Sequence, residues 1–220
     1  MQAHGLQPVG LFTTLPLMKL PEHIAFSYLL AQLGPQQHYG AAGTALVIAA
    51  GLLPDLDGLT ILGGWGCHRK YHRVLGHGLL VTLLGPLALA LLGLWLLPGV
   101  ALLPLWLWLQ LALLAHLITD FCFYRWPVQL LWPLSPRGVG FGWIGWNDLV
   151  PTLILYGGAA LAVAWPGPVV AVTSLGLLAL YVAWRAFRSP GWAGLAGWLG
   201  GGWARRSPRL CRWLTGDFIT

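Results

Sequence analysis

Two apolar stretches, Leu79 to Leu97 and Val100 to Ile118, leave this chain little choice of fold. Each runs for about nineteen residues without an Asp, Glu, Lys or Arg, enough to cross a hydrocarbon layer of ~30 Å as a helix. Only Pro98-Gly99 separates them, so they must run antiparallel. A second pair follows: Leu149 to Trp165, the turn Pro166-Gly167-Pro168, then Val169 to Trp184. Two shorter apolar pieces come earlier, Ile24 to Leu33 and Ala41 to Leu53. Both are short for a full crossing, and they read as a hairpin dipping partway into the bilayer, joined by Gly34 to Gly40. The expected fold is therefore all-α: a polytopic integral membrane helical bundle with about four full spans plus a short N-terminal helical hairpin.

Composition agrees. Of the 220 residues, 57% are apolar and 8% are charged, where a soluble domain carries about 25% charge. Neither a water-soluble surface nor a disordered chain can be made from that supply. The net charge of +6 would suggest nucleic acid in a soluble protein, but here the basic residues sort by side. The three hairpin turns, 34–40, 98–99 and 166–168, hold no charged residue. Lys19, Arg69, Lys70, Arg73, Arg125, Arg137 and the cluster from Arg185 to Arg212 all fall on the opposite face. By the positive-inside tendency that face is cytoplasmic, so lipid is the expected partner and nucleic acid is not. Cys67, Cys122 and Cys211 form no disulfide framework and suit a reducing compartment.

The same patterning divides the chain into a tail over 1–22, a membrane domain with the chemistry over 23–187, and an interfacial Trp- and Arg-rich tail over 188–220. Met18 reads as a natural start, with 1–17 as an upstream extension. Trp132, Trp143, Trp146, Trp192, Trp198 and Trp203 lie near expected interfaces, where indole serves as an anchor. Gly140, Gly142 and Gly145 match a G-x-G-x-x-G pattern, but no strand precedes them, and the match is coincidental in a glycine-rich chain.

With six acids in the whole chain, their placement carries information. Asp55 and Asp57 form a D-x-D directly after the apolar run that ends at Pro54. Asp120 closes the second long stretch, with His116 four residues before it and on the same helix face. His23 opens the first short helix, and His72 and His77 lie just before Leu79. The hairpin topology brings all of these to one end of the bundle. Packed carboxylates repel unless a cation neutralises them, and carboxylates with neutral imidazoles are a ligand set for zinc, manganese or iron. Such a centre does hydrolase chemistry, and Arg73 could stabilise charge on a phosphate. Of the two histidines before Leu79, His77 is favoured over His72, because a helical stretch would turn them about 140° apart. Each element also has a plainer explanation: snorkelling for His116 and Asp120, a turn and helix cap for Asp55 and Asp57, interfacial placement for His72 and His77.

The segments HIAFSYLLA (23–31), GLLPDLDGL (51–59), HRVLGHGLL (72–80), HLITDF (116–121) and VQLLWPLSP (128–136) occur in the order seen in the YdjM-like family of inner-membrane metal-dependent hydrolases, which this chain resembles over about 23–136. That family is distantly similar to zinc phospholipase C and related nucleases, helical enzymes whose metals are held by His and Asp. The resemblance implies that His23, Asp55, Asp57, His77, His116 and Asp120 are ligands, with Asp55 or Asp57 as the base for an attacking water. The chain departs from the family at one point: Gly76-His77-Gly78 stands where the family usually has Thr-His-Ser, so two hydroxyls that could orient the imidazole are absent. The expected function is hydrolysis of an ester, a phosphoester of a lipid or lipid-linked molecule, at the cytoplasmic face of the inner membrane. One or two divalent ions, zinc first and manganese or iron next, are the expected cofactor. The alternatives are a metal ion transporter and a non-catalytic membrane protein with a structural metal.

Overall fold

The computed structural model describes residues 20–122, 127–145 and 148–188. Of the expected tails, 1–19 and 189–220 lie outside the described residues, as do the start at Met18 and the individual residues Arg125 and Trp146; Leu20 to Glu22, expected in the N-terminal tail, belong to α1, and Arg188 ends α7. Within them the chain forms α1 (Leu20–Ala31), α2 (Pro35–Leu52), a 3-10 helix (Pro54–Gly63), α3 (Trp65–Tyr71), α4 (Leu79–Leu96), α5 (Leu102–Cys122), α6 (Leu149–Ala164) and α7 (Pro168–Arg188). Val128 and Val139 pair as an isolated bridge, and no strand is formed among the described residues.

Helices α4, α5 and α7 are each long and apolar enough to cross a membrane. The count rises to four if α2 and the 3-10 helix, bent by 59° at their junction, are taken as one broken span. Helix α6 is apolar but has 16 residues, about 24 Å of rise. The first hairpin differs from expectation at its turn. Residues 34–40 do not form a loop, because Pro35 starts α2 directly; proline suits a first helical turn, where its missing N–H costs nothing. The break that the glycines supply falls inside α2 instead, at Gly40 with φ 60°.

Helix α1 sits between two cores. On one side Leu30 and Ala31 pack with Leu46, Val47 and Ala50 of α2, Ala90 of α4, and Leu105, Leu109 and Ala112 of α5. On the other, Ala25 and Leu29 meet Leu155 and Ala162 of α6 and Ala171 and Leu178 of α7. The close approach of α1 to α2 depends on Gly51, where an added Cβ would fall 2.0 Å from Ser27 Oγ. Leucines on the outer faces of α4, α6 and α7 remain exposed, among them Leu80, Leu84, Leu153 and Leu180. That outer surface is what a lipid-facing bundle requires. The topology puts the start of α1, the ends of α2 and α5, and the start of α4 at one end of the molecule, where the polar residues collect.

A buried histidine and aspartate centre

The candidate centre is assembled from four segments. His23 comes from the first turn of α1, Asp55 and Asp57 from the start of the 3-10 helix, and His72, Arg73 and His77 from the turns between α3 and α4. His116 and Asp120 come from the last two turns of α5. His23, Asp57, Arg73, His77, His116 and Asp120 are all buried.

Asp120 is the hub. Arg73 Nη2 donates to its Oδ1 at 2.8 Å, and His23 Nε2 lies 3.5 Å from the same oxygen. On the other oxygen, His77 Nε2 is at 3.0 Å and His116 Nε2 at 3.6 Å. The His23 and His116 rings stack with centroids 3.7 Å apart. His116 Nε2 also lies 3.7 Å from Asp55 Oδ1.

His116 shows which ring nitrogen is available. Its Nδ1 is 2.6 Å from the Gly51 carbonyl at the end of α2. A carbonyl only accepts, so Nδ1 carries the proton and Nε2 presents its lone pair inward. That Nε2 is buried and has no hydrogen-bond partner among the described residues. A buried acceptor left unused calls for an explanation, and an imidazole oriented by a backbone carbonyl through its other nitrogen is the usual setting of a metal ligand.

Two groups of donors lie close enough to share an ion: His23, His116 and Asp120, and Asp55, His77 and His116, with the atoms of each group within 4.8 Å of one another. His116 belongs to both. Neither group includes Asp57 or His72. Asp57 is saturated instead, taking His72 Nδ1 on Oδ1 at 2.8 Å, and the Gly76 N–H and His77 Nδ1 on Oδ2 at 3.0 Å each. Helix-like spacing had suggested that His72 and His77 would diverge, but the stretch is a series of turns, and both rings reach Asp57. His77 thus has a carboxylate on each ring nitrogen. Burial by itself favours its neutral form, but the bonds and charges of Asp120 and Asp57 outweigh that, and its pKa is pushed up to about 9.

The glycine departure has a steric meaning here. A Cβ on Gly76 would fall 2.0 Å from the Pro54 carbonyl oxygen. The bare backbone lets the 72–78 turns close onto the start of the 3-10 helix, where the Gly76 N–H meets Asp57. Arg73 takes φ 63°, a left-handed conformation that costs a non-glycine residue about 1 kcal/mol. The Gln129 N–H on its carbonyl, at 3.0 Å, helps hold it there.

Three contributors were not singled out from sequence: the Gly51 carbonyl, the Gly76 N–H and Glu22. Glu22 is buried beside His23 and accepts a hydrogen bond from Thr152 of α6. An acid directly before a candidate ligand, in a chain with few acids, was the available signal for Glu22; the two backbone groups offered none.

A family model described as YdjM inner membrane protein matches residues 18–191. No curated protein and no solved structure matches the chain.

Proposed function

The chain belongs to the YdjM inner membrane protein family, and on that premise we propose that its buried centre holds a divalent transition metal and hydrolyses an ester, a phosphoester of a lipid or lipid-linked molecule, at the cytoplasmic face. The observation that carries this reading is the His116 Nε2 lone pair, oriented by Gly51 and surrounded by the donors of His23, Asp55, His77 and Asp120. These five side chains are the ones we assign as ligands, for zinc in the first instance and for manganese or iron as alternatives. Such an ion supplies Lewis acidity, lowering the pKa of a water to about 7 and polarising a phosphoryl oxygen.

The remaining roles fall to the chain itself. Asp57 fixes the orientation of His77 and is in turn braced by His72 and the Gly76 N–H. Between the two members of the D-x-D, Asp55 is the candidate base. Its side chain is 15% exposed, against 1% for Asp57, whose two oxygens are already engaged. Arg73 offsets the surplus of carboxylates through Asp120, and its charge at the centre suits a phosphate-bearing substrate. His77 must release a proton before its Nε2 can ligate, as metal sites commonly require.

The test is made on the full chain in lipid nanodiscs. Elemental analysis should find a transition metal in the wild type and at least tenfold less in His116→Ala. A panel of phospholipid and lipid-phosphate esters should reveal turnover that chelation abolishes, metal restores and Asp55→Asn lacks. A wild type that takes up no metal when supplied with it, or turnover that survives chelation, overturns the reading.

A further inference from the structure

The 3-10 helix carries a stripe that the centre does not use. Leu56, Leu59, Leu62 and, one step beyond the helix, Trp65 recur every third residue. With three residues per turn, the three leucines line up on one face, and Trp65 follows the break at Gly64 as the first residue of α3. They are 57%, 62%, 86% and 51% exposed, while Asp57, on another face, is 5% exposed. Directly after the stripe, α3 exposes Arg69 and Lys70, and no acid occurs anywhere between residues 58 and 76.

Two observations say what covers this face. The first is continuity with the lipid-facing belt. Leu53, the residue before the 3-10 helix, lies against Gly85 of α4, so the segment leaves the bundle beside a helix that exposes Leu80, Leu83 and Leu84. The second is charge: a bulky apolar row with an indole, followed by exposed cations and no anions, matches an anionic leaflet at its headgroup boundary. Nor does the segment continue α2 across the bilayer. The chain arrives at the centre through Gly51 and departs from the same centre through His77, so residues 54–76 begin and end at one membrane face.

We propose that residues 56–70 lie in the plane of an anionic leaflet, with Leu56, Leu59 and Leu62 among the acyl chains and Arg69 and Lys70 against the headgroup phosphates. If the centre is the lipid hydrolase proposed above, this arrangement also sets its entrance. The side chains of Asp55 and His72 are 15% and 13% exposed, more open than those of the other ion-paired groups of the centre. Asp55 lies in the first turn of the 3-10 helix and His72 is bonded to Asp57 of the same helix, so a lipid substrate enters sideways from the leaflet and not from bulk water.

Spin labels at Leu56→Cys, Leu59→Cys and Leu62→Cys test the placement, in a full chain carrying Cys67→Ser, Cys122→Ala and Cys211→Ser, reconstituted in nanodiscs of phosphatidylcholine with phosphatidylglycerol. The three labels should be accessible to oxygen and shielded from a water-soluble nickel chelate, unlike a label at the exposed Arg137→Cys outside the segment. Removing phosphatidylglycerol, or introducing Arg69→Gln with Lys70→Gln, should make all three shallower. The unmodified chain provides a second measurement: a phospholipid with a photoreactive group near its glycerol should leave adducts within 56–65. Labels as open to the chelate as Arg137→Cys, or adducts absent from 56–65, overturn the proposal. Dipolar broadening between labels would overturn it too, because a second copy of the chain would then cover the stripe. Metal content, measured on the same samples, is independent of these readouts, so loss of the hydrolase reading and loss of the leaflet placement are told apart.

Discussion

The α4–α5 and α6–α7 hairpins are built alike, from apolar helices joined by short Pro/Gly turns, and each carries one aspartate at its polar end. Asp148 stands at the N-cap of α6, accepts from the Val150 N–H, and is joined by Tyr181 Oη at 2.5 Å and Arg185 Nε at 3.8 Å. All of these partners belong to its own hairpin, and the positive end of the α6 dipole favours an acid there. Asp120 stands in the last turn of α5, at the negative end of a helix dipole, where an acid is disfavoured by about 0.3–1 kcal/mol. Its partners His23, Arg73 and His77 come from α1 and the α3–α4 turns. An acid in the locally wrong place that long-range contacts nevertheless hold is the mark of a site built for something other than stability.

The largest effect should come from exchanging the hub. Asp120→Asn takes away the carboxylate that Arg73 Nη2 meets at 2.8 Å and the charge that His77 faces at 3.0 Å, which costs about 3 kcal/mol by analogy with other broken buried pairs. The same change should cut metal occupancy at least tenfold. Thermal unfolding in nanodiscs and elemental analysis measure the two effects. A variant that keeps both its stability and its metal would place Asp120 in the same category as Asp148.

Much of this contrast was legible in the residue string because membrane helices advertise themselves. Apolar runs of span length, with Pro98-Gly99 and Pro166-Gly167-Pro168 between them, fix the two hairpins. The scarcity of acids then makes Asp120 conspicuous, and its i,i+4 relation to His116 puts both on one face. What could not be read were the contacts made by backbone. The tautomer of His116 depends on a carbonyl in α2, and the fit of Gly76 depends on a carbonyl at Pro54; neither is encoded as a residue type. The D-x-D was equally ambiguous. Its side chains make no helix cap, and it is the contacts with His72, the Gly76 N–H and His77 that hold Asp57 inside the protein while Asp55 stays at the edge. The segment 54–71 held no recognisable helix period, so the one element joining the centre to the membrane surface had to come from the structure.

Glycines sharpen the comparison at an intermediate size of effect. Gly76 closes the site turns onto Pro54, whereas a Cβ at Gly157 of α6 would meet nothing within 4 Å. Gly76→Ala should therefore cost about 1–3 kcal/mol, as overpacking against an unyielding group does. It should also weaken metal binding by about 10–100-fold, because the displaced N–H releases Asp57, and with it His77. Gly157→Ala should change stability by no more than about 0.5 kcal/mol and leave the metal untouched. Equal responses at the two positions would mean that the 72–78 turns tolerate movement, and the glycine departure would then be neutral.

The smallest effects belong to Asp148, and two substitutions separate its roles. Asparagine is as good an N-cap as aspartate, so Asp148→Asn keeps the bond to the Val150 N–H on its one oxygen and gives up the charge together with the second acceptor, which serves Tyr181 Oη and Arg185 Nε. The lost ion pair is with an Arg185 side chain that is 37% exposed, and exposed pairs contribute little once screening and side-chain entropy are counted. Asp148→Ala removes the cap as well and should cost about 1 kcal/mol. Unfolding midpoints should thus fall in the order wild type, Asn, Ala, with metal content the same in all three. If Asp148→Asn proved as damaging as Asp148→Ala, the second carboxylate oxygen, with its charge, and not the cap would be the stabilising element. The α6–α7 hairpin would then resemble α4–α5 more closely than its local hydrogen bonds imply.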